Sequence, residues 1–406
     1  VSTNITMKRI FIPLMLILFV SCQGEETAEI SASEDANEPV INANDSVQEV
    51  YPTDVKFNEF AQFIAGYEGS PSSSLKSLEE SNTWKNYQDN LEVLWKKTNN
   101  KLPVIREWAD NELNEINQDG GTLFYPFSGA DFLHADLFFS GHDHIAMMAL
   151  EPIGTFPELQ NAPDTTVNKY LARLKKSMNA ILGLSFFRTI AMADDFKSEL
   201  DGTLHVLVHF MARTDHEVLF QEQVAILPDG QLTNDLSAIS DSTYVGNRFY
   251  FKKQGSDKVK TLTYFAANVQ DKPYHSRGGL VAKGLETRTD LVAYFKQLNI
   301  KTTYLKSASY LMHRPTFSII RSTILDESEY VLQDDSGIPV GFFDESKWNL
   351  TFYGNYSFPI SLFAERHQED LKEIYAKKEK TVKPLPFGIG YQYHVGTSNM
   401  MLAEKK

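Results

Sequence analysis

Apolar residues along this chain change their spacing twice, and each change marks a change of architecture. Between Val55 and Gln118 they recur every three or four positions: Phe57, Phe60, Ile64 and Tyr67, then Trp84, Tyr87, Leu91 and Trp95, then Ile105, Trp108 and Leu113. That spacing predicts amphipathic helices. Ser70-Pro71 and Lys101-Leu102-Pro103 would break the stretch into three, because proline restricts the residue before it and removes a donor. Aromatic stripes at this spacing are read as core. From Thr122 the texture shifts to short apolar runs bounded by turn residues. Thr122–Phe127 reads as a strand, Asp131–Phe139 as a helix and His144–Leu150 as a buried strand, together a βαβ unit. Val167–Leu200 reads as helical, with a division near Gly183, and Leu204–Ala212, Glu217–Leu227 and Leu262–Asn268 read as strands. A helix at Thr289–Leu298, a strand at Thr302–Leu305 and a helix over Ala308–Leu325 interrupted by Pro315 follow. Further strands are expected at Glu329–Gln333 and Trp348–Tyr353. Alternating strands and helices predict an α/β fold with a mixed, largely parallel sheet, preceded by a helical subdomain. The expected divisions are a leader over 1–22, a disordered acidic tether over 23–51, helices over 52–120 and an α/β body over 121–406.

One apolar run stands outside this scheme. Ile10–Val20 follows Lys8 and Arg9 and leads to Ser21-Cys22, which carries the chain's only cysteine. A positive start, a short apolar stretch and a small residue before the cysteine form a secretory leader, too short for a bilayer span of about 20 residues. The arrangement resembles the lipobox of bacterial lipoproteins. That resemblance implies acyl chains such as palmitate on Cys22 and a lipid-anchored place in the cell envelope. Gln23 after the cysteine, where Asp would resemble an inner-membrane retention signal, points to the outer membrane. Cys22-Gln23-Gly24-Glu25-Glu26 is similar to short acidic surface-export signals. The membrane, reached through Cys22, is the one partner this reading names.

Charge narrows the function. Loss of a leader carrying Lys8 and Arg9 takes the formal charge from −14 to −16. This argues against nucleic acid and against a basic membrane-docking face, both of which need clustered cations. With Cys22 acylated no thiol remains, so disulfides, thiolate nucleophiles and cysteine metal sites are excluded. Residues 23–51 hold no aromatic before Tyr51 and cannot bury enough apolar area to offset ordering entropy.

Ligands of open α/β sheets sit at strand carboxyl ends. The turn Phe127-Ser128-Gly129-Ala130-Asp131 and Glu151, 22 positions after Gly129, occupy such ends. The unit is Rossmann-like and resembles the dinucleotide and S-adenosylmethionine folds, where an acid about 20 residues on binds ribose hydroxyls. It has one glycine where those fingerprints have two or three, and Asp131 in the first helical turn would repel a phosphate. An uncharged or cationic ligand is expected, and a helix capped for stability is the alternative. No cofactor is assigned. Ser128, Gly129, Glu151, Asn268, Asp271 and Asp334 are the candidate ligand-binding residues.

Other constellations are weaker. Gly141-His142-Asp143-His144 resembles a metallophosphoesterase motif. His142 and His144, with His134 and Asp136, are candidate metal ligands, although a surface loop is the plainer reading. His205, His209 and His216 are read as partnered core histidines. His313, Asp334 and Asp335, with Lys306 and Arg314 nearby, would suit general acid–base chemistry or a capped turn equally. No nucleophile elbow, His-Glu-x-x-His, Walker loop or zinc spacing occurs. Tyr125-Pro126-Phe127-Ser128-Gly129-x-Asp131, Leu150-Glu151-Pro152-x-Gly154, Lys306–Leu311 and Gln333-Asp334-Asp335-Ser336-Gly337 resemble an uncharacterised group of bacterial proteins. That resemblance implies no activity. The expected function is small-molecule or glycan binding at the strand ends. A divergent, metal-assisted hydrolase and an envelope scaffold are the alternatives.

Overall fold

The computed structural model describes residues 51–184, 202–239, 243–271, 289–356, 358–377, 380–392 and 394–406. Cys22, the apolar leader, the acidic tether and positions 185–200 of the long helical stretch lie outside these residues.

Five helices come first: α1 (Val55–Ile64), α2 (Lys76–Glu79), α3 (Asn82–Asn99), α4 (Leu102–Glu112) and α5 (Asn114–Asp119). Asp54 and Ser81 start α1 and α3 as N-caps, accepting from Lys56 N at 3.1 Å and Trp84 N at 3.2 Å, and so satisfy orphan donors. Gly120, at φ 66°, ends α5 in a conformation that favours glycine. There follow β1 (Thr122–Pro126), α6 (Phe132–Phe138), β2 (His144–Ala149), α7 (Asp164–Leu184), α8 (Leu204–Arg213), β3 (His216–Ile226), β4 (Leu232–Thr233), β5 (Val245–Lys253) and β6 (Val259–Ala266). The chain closes with α9 (Thr289–Gln297), β7 (Ile300–Leu305), α10 (Ser318–Glu327), β8 (Tyr330–Gln333), β9 (Trp348–Gly354), α11 (Glu369–Lys377) and β10 (Asn399–Lys405).

The ten strands form one mixed sheet in the order β4-β3-β5-β6-β2-β1-β7-β8-β10-β9. β6, β2, β1, β7 and β8 are mutually parallel, while β10 runs antiparallel between β8 and β9. Chain order reverses between β1 and β7, which makes that crevice a topological switch point. Alternate residues of the central strands enter different cores. Leu123, Tyr125, Ile145 and Met147 pack with α1, α3, α4 and α6–α8, whereas Phe124, Ala146 and Met148 pack with α9, α10 and α11. The result is a three-layer α/β/α sandwich. Burial on both faces explains why its central strands read as continuous apolar runs. The N-terminal helices share one hydrophobic core with the sheet. No helix among the described residues is long and apolar enough to cross a membrane.

Two expected elements need correction. Leu204–Ala212 is not a strand but lies within the helix α8, whose ten residues are all buried. Its polar residues His205, His209 and Arg213 stand four apart on one helical face, a spacing that an even-period strand also places on one side. The long helix expected over Ala308–Leu325 is two 3₁₀ turns, Ala308–His313 and Pro315–Phe317, before α10 begins. β5, β10 and α11 were not marked by the apolar pattern.

Candidate functional site

The five parallel strands end on one edge, which gathers the polar residues that follow them: Ser128 and Asp131 after β1, Glu151 after β2, Asn268 and Asp271 after β6, Lys306 and Ser307 after β7, and Asp334 and Asp335 after β8. Backbone strain concentrates at the switch point. Phe127, closing β1, lies at φ 61°, and Ser307, closing β7, at φ 61° and ψ −83°. Non-glycine residues in such regions cost about 1–3 kcal/mol each and persist only where their surroundings hold them.

Beneath these turns lies a buried polar cluster. Asp131 caps α6 by accepting from His134 N at 3.3 Å. Its carboxylate also accepts from Tyr125 Oη at 2.8 Å and Lys306 Nζ at 2.7 Å, and meets His134 Nδ1 at 2.8 Å. Lys306 Nζ stands 3.0 Å from the same ring nitrogen. Burial penalises the Asp131 charge, yet the His134 ring and the Lys306 ammonium hold this carboxyl far below its ordinary range. His134 is pushed down by burial first and by Lys306, against the pull of Asp131. The turn after β1 therefore carries a compensated ion pair and no spare positive charge for a phosphate. Neither its geometry nor its charge balance was visible locally, because Asp131 and Lys306 stand 175 positions apart.

The other candidates separate into occupied and free groups. Ser128 donates to Gly129 O at 2.8 Å, and Gly129 (φ 55°) makes the turn. Asp271 accepts from Ser318 N, Ser318 Oγ and Ile319 N at 3.1, 2.7 and 2.9 Å, and so caps α10. Asn268 Oδ1 accepts from Gln270 N at 3.1 Å. Asp334 accepts from Ser307 N at 3.0 Å, from Ser336 N at 3.0 Å and from Ser336 Oγ. Asp271 and Asp334, expected to meet a ligand, are thus spent on backbone donors that need them. Glu151 differs. It is 6 % exposed and its Oε1 has no partner among the described residues. Among the described residues only its carbonyl is bound, by Tyr264 Oη at 3.0 Å. Ser307 Oγ, on the same edge, is also buried without a partner among the described residues. A buried carboxylate oxygen left unpaired costs far more than an ordinary hydrogen bond returns, and Glu151 is the strand-end acid here that keeps such an oxygen among the described residues.

Asp335 accepts from Tyr310 Oη at 2.5 Å and Asn399 Nδ2 at 3.3 Å. Burial, then the neighbouring Asp334, pushes it up to about 7. His313 is pushed down to about 4 by burial, and among the described residues no hydrogen bond joins its ring to either carboxylate. Tyr310 stacks on Phe363 with ring centroids 4.5 Å apart. Arg314 takes part in the backbone turns before α10.

The remaining histidines are engaged separately. His142 Nε2 meets Thr302 Oγ1 at 3.0 Å, and His144 meets Thr261 Oγ1 at 2.7 Å, both at the amino ends of their strands and away from Glu151. His205 pairs with Tyr170 Oη at 2.8 Å and His209 with Ile64 O at 3.1 Å. His216 meets Thr214 Oγ1 at 3.0 Å and Asp136 at 3.4 Å. Asp136 is also bound by Arg106 at 3.3 Å. Among the described residues no three metal-ligating side chains converge. No protein-family model, curated protein or solved structure matches this chain.

Proposed function

We propose that the protein binds a small, hydroxyl-bearing molecule without phosphate groups at the carboxyl edge of its parallel strands, with Glu151 accepting the ligand's hydroxyls. The buried, unpartnered Oε1 of Glu151 carries this reading. The position suits a vicinal diol, as in the ribose of a nucleoside or the ring of a sugar, because a carboxylate accepts two O–H donors at once. The compensated Asp131–Lys306 pair supports an uncharged or cationic ligand over a nucleotide. Of the two fold classes that the turn-to-acid spacing resembles, S-adenosylmethionine, a cation with a ribose and no phosphate, suits this edge better than a dinucleotide.

The test is calorimetric titration with adenosine, S-adenosylmethionine and monosaccharides, with ATP and NAD as phosphate-bearing controls. Glu151→Gln should weaken the phosphate-free ligand by roughly 10- to 100-fold, the equivalent of about 1.5–3 kcal/mol for hydrogen bonds to a charged group. Tighter binding of ATP or NAD, or equal binding by the variant, would refute the proposal. A second reading, a divergent hydrolase, is favoured by Asp335, whose pKa near 7 suits proton transfer beside Tyr310 and His313. The same chain is proposed to be an envelope lipoprotein anchored through Cys22, and Cys22→Ser should then release it from membranes into the soluble fraction.

A further inference from the structure

A second cavity lies at the opposite end of the same strands. It has a volume of about 440 Å³ and sits on the α9 side of the sheet, between the first residues of β2 and β6 and the last turn of α9. His144 begins β2 and Glu151 follows its far end, so the two sites are roughly 20 Å apart at 3.3 Å per residue. The cavity is within the size range of small-molecule sites.

Its wall is polar but balanced. Arg248 lines the cavity, and from behind it Glu222 Oε1 takes Arg248 Nε at 2.7 Å and Nη2 at 2.5 Å. Tyr250 Oη donates to the same oxygen at 3.0 Å, and Asn234 Nδ2 meets Glu222 Oε2 at 3.1 Å. The guanidinium is therefore fixed in direction with its charge cancelled, and its Nη1 has no hydrogen-bond partner among the described residues. His144, held by Thr261 and Thr263, is kept neutral by burial and by Arg248, which push it down to about 4. Thr263 and Tyr294, buried in the floor, spend their hydroxyls on each other at 3.0 Å. The Gln231 side chain, on the rim, also has no partner among the described residues. An anion would face Glu222 behind the arginine, and a cation would face the arginine itself. A neutral molecule with many hydroxyls meets neither penalty. It can accept from Arg248 Nη1 and Gln231 and rest its C–H face on the partly exposed Tyr250 ring.

We infer that this cavity is a second binding site, separate from the Glu151 edge, and that its ligand is a neutral sugar of one or two rings, oriented by the Glu222-braced Arg248. The test uses the full chain with D-glucose and N-acetylglucosamine as probes and inorganic phosphate as the anionic comparison, read by saturation-transfer NMR and calorimetry. Arg248→Lys, which keeps the charge and loses the fork, should weaken sugar binding about tenfold. Leu232→Trp, which fills the cavity from its rim, should abolish it. Both variants are measured in a Glu151→Gln background, so that sugar held at the first site does not contribute to the signal. Absence of saturable binding by both sugars would overturn the inference, as would binding that survives Leu232→Trp. Preferential binding of phosphate, or loss of sugar binding in Glu151→Gln, would overturn it as well.

Discussion

Replacing Lys306 with Met tests whether the switch point is held together by charge. The Lys306 and Asp131 side chains are 3 % and 7 % exposed, and Nζ lies 2.7 Å from the carboxylate. Methionine keeps the length of the stem and removes the ammonium, leaving Asp131 charged and buried with Tyr125 and His134 as its partners. Breaking one half of a buried pair costs about 3–5 kcal/mol, a large part of the roughly 5–15 kcal/mol that keeps a domain folded. With a urea slope of about 2 kcal/mol per molar, the unfolding midpoint should fall by about 2 M. The deficit should also depend on pH. Without Lys306, one of the influences that depress His134 is gone while the pull of Asp131 remains, so its folded pKa rises. In the variant His134 therefore takes up a proton more readily than in the parent and returns a positive partner to Asp131, so the deficit should shrink as pH falls. In Asp131→Asn/Lys306→Met no charge is left uncompensated, and most of the loss should return. A single-variant loss under about 1 kcal/mol, or a double variant no better than the single, would refute the ion-pair account.

Three further outcomes follow from the same geometry. Asp334→Ala removes the acceptor of two buried N–H groups, those of Ser307 and Ser336, and should cost about 3–5 kcal/mol at roughly 1–3 kcal/mol per orphaned donor plus the hydroxyl bond. An unchanged melting temperature would show that this carboxylate is free for ligand after all. Acid should weaken the fold. Burial pushes His209 down to about 3 and His142 to about 4, so each contributes stability above pH 6.5 that is lost as pH falls. By pH 5 the loss is about 2 kcal/mol apiece, and a melting temperature constant from pH 7 to pH 5 would contradict it. Asp335 has the opposite sign, because its raised folded pKa lowers stability as pH climbs from about 4 to 7. Asp335→Asn should gain on the parent protein as pH climbs from 5 to 8, by about 3 kcal/mol over that range. Calorimetry showing a difference independent of pH would count against it.

Much of the architecture was legible along the chain because burial repeats with the geometry of each element. The stripe Trp84, Tyr87, Leu91 and Trp95 lies on one buried face of α3. The central strands, covered on both faces, read as unbroken apolar runs, and their polar followers fell into line once the strands were parallel. The same rule misled at Leu204–Ala212, where the apolar run between His205 and His209 imitates a buried strand and a spacing of four fits both a helix and a strand. It was silent at Val245–Lys253, where Arg248 and Lys252 interrupt the apolar pattern although the strand pairs on both sides.

Glu151, Asp271 and Asp334 look alike in the sequence, each an acid following a strand. They differ in whether backbone donors arrive from elsewhere: those of α10 reach Asp271, those of Ser307 and Ser336 reach Asp334, and none satisfies Glu151 Oε1 among the described residues. By itself the sequence determined the layers, the direction of the central strands and the edge on which their polar ends meet, because hydrophobic periodicity is a local property of each element. Only the tertiary structure decided which of those polar groups are spent on the fold and which keep a buried atom without a partner among the described residues. Hydrogen bonds and ion pairs form across distances in the chain, such as Asp131 with Lys306, that no local pattern encodes.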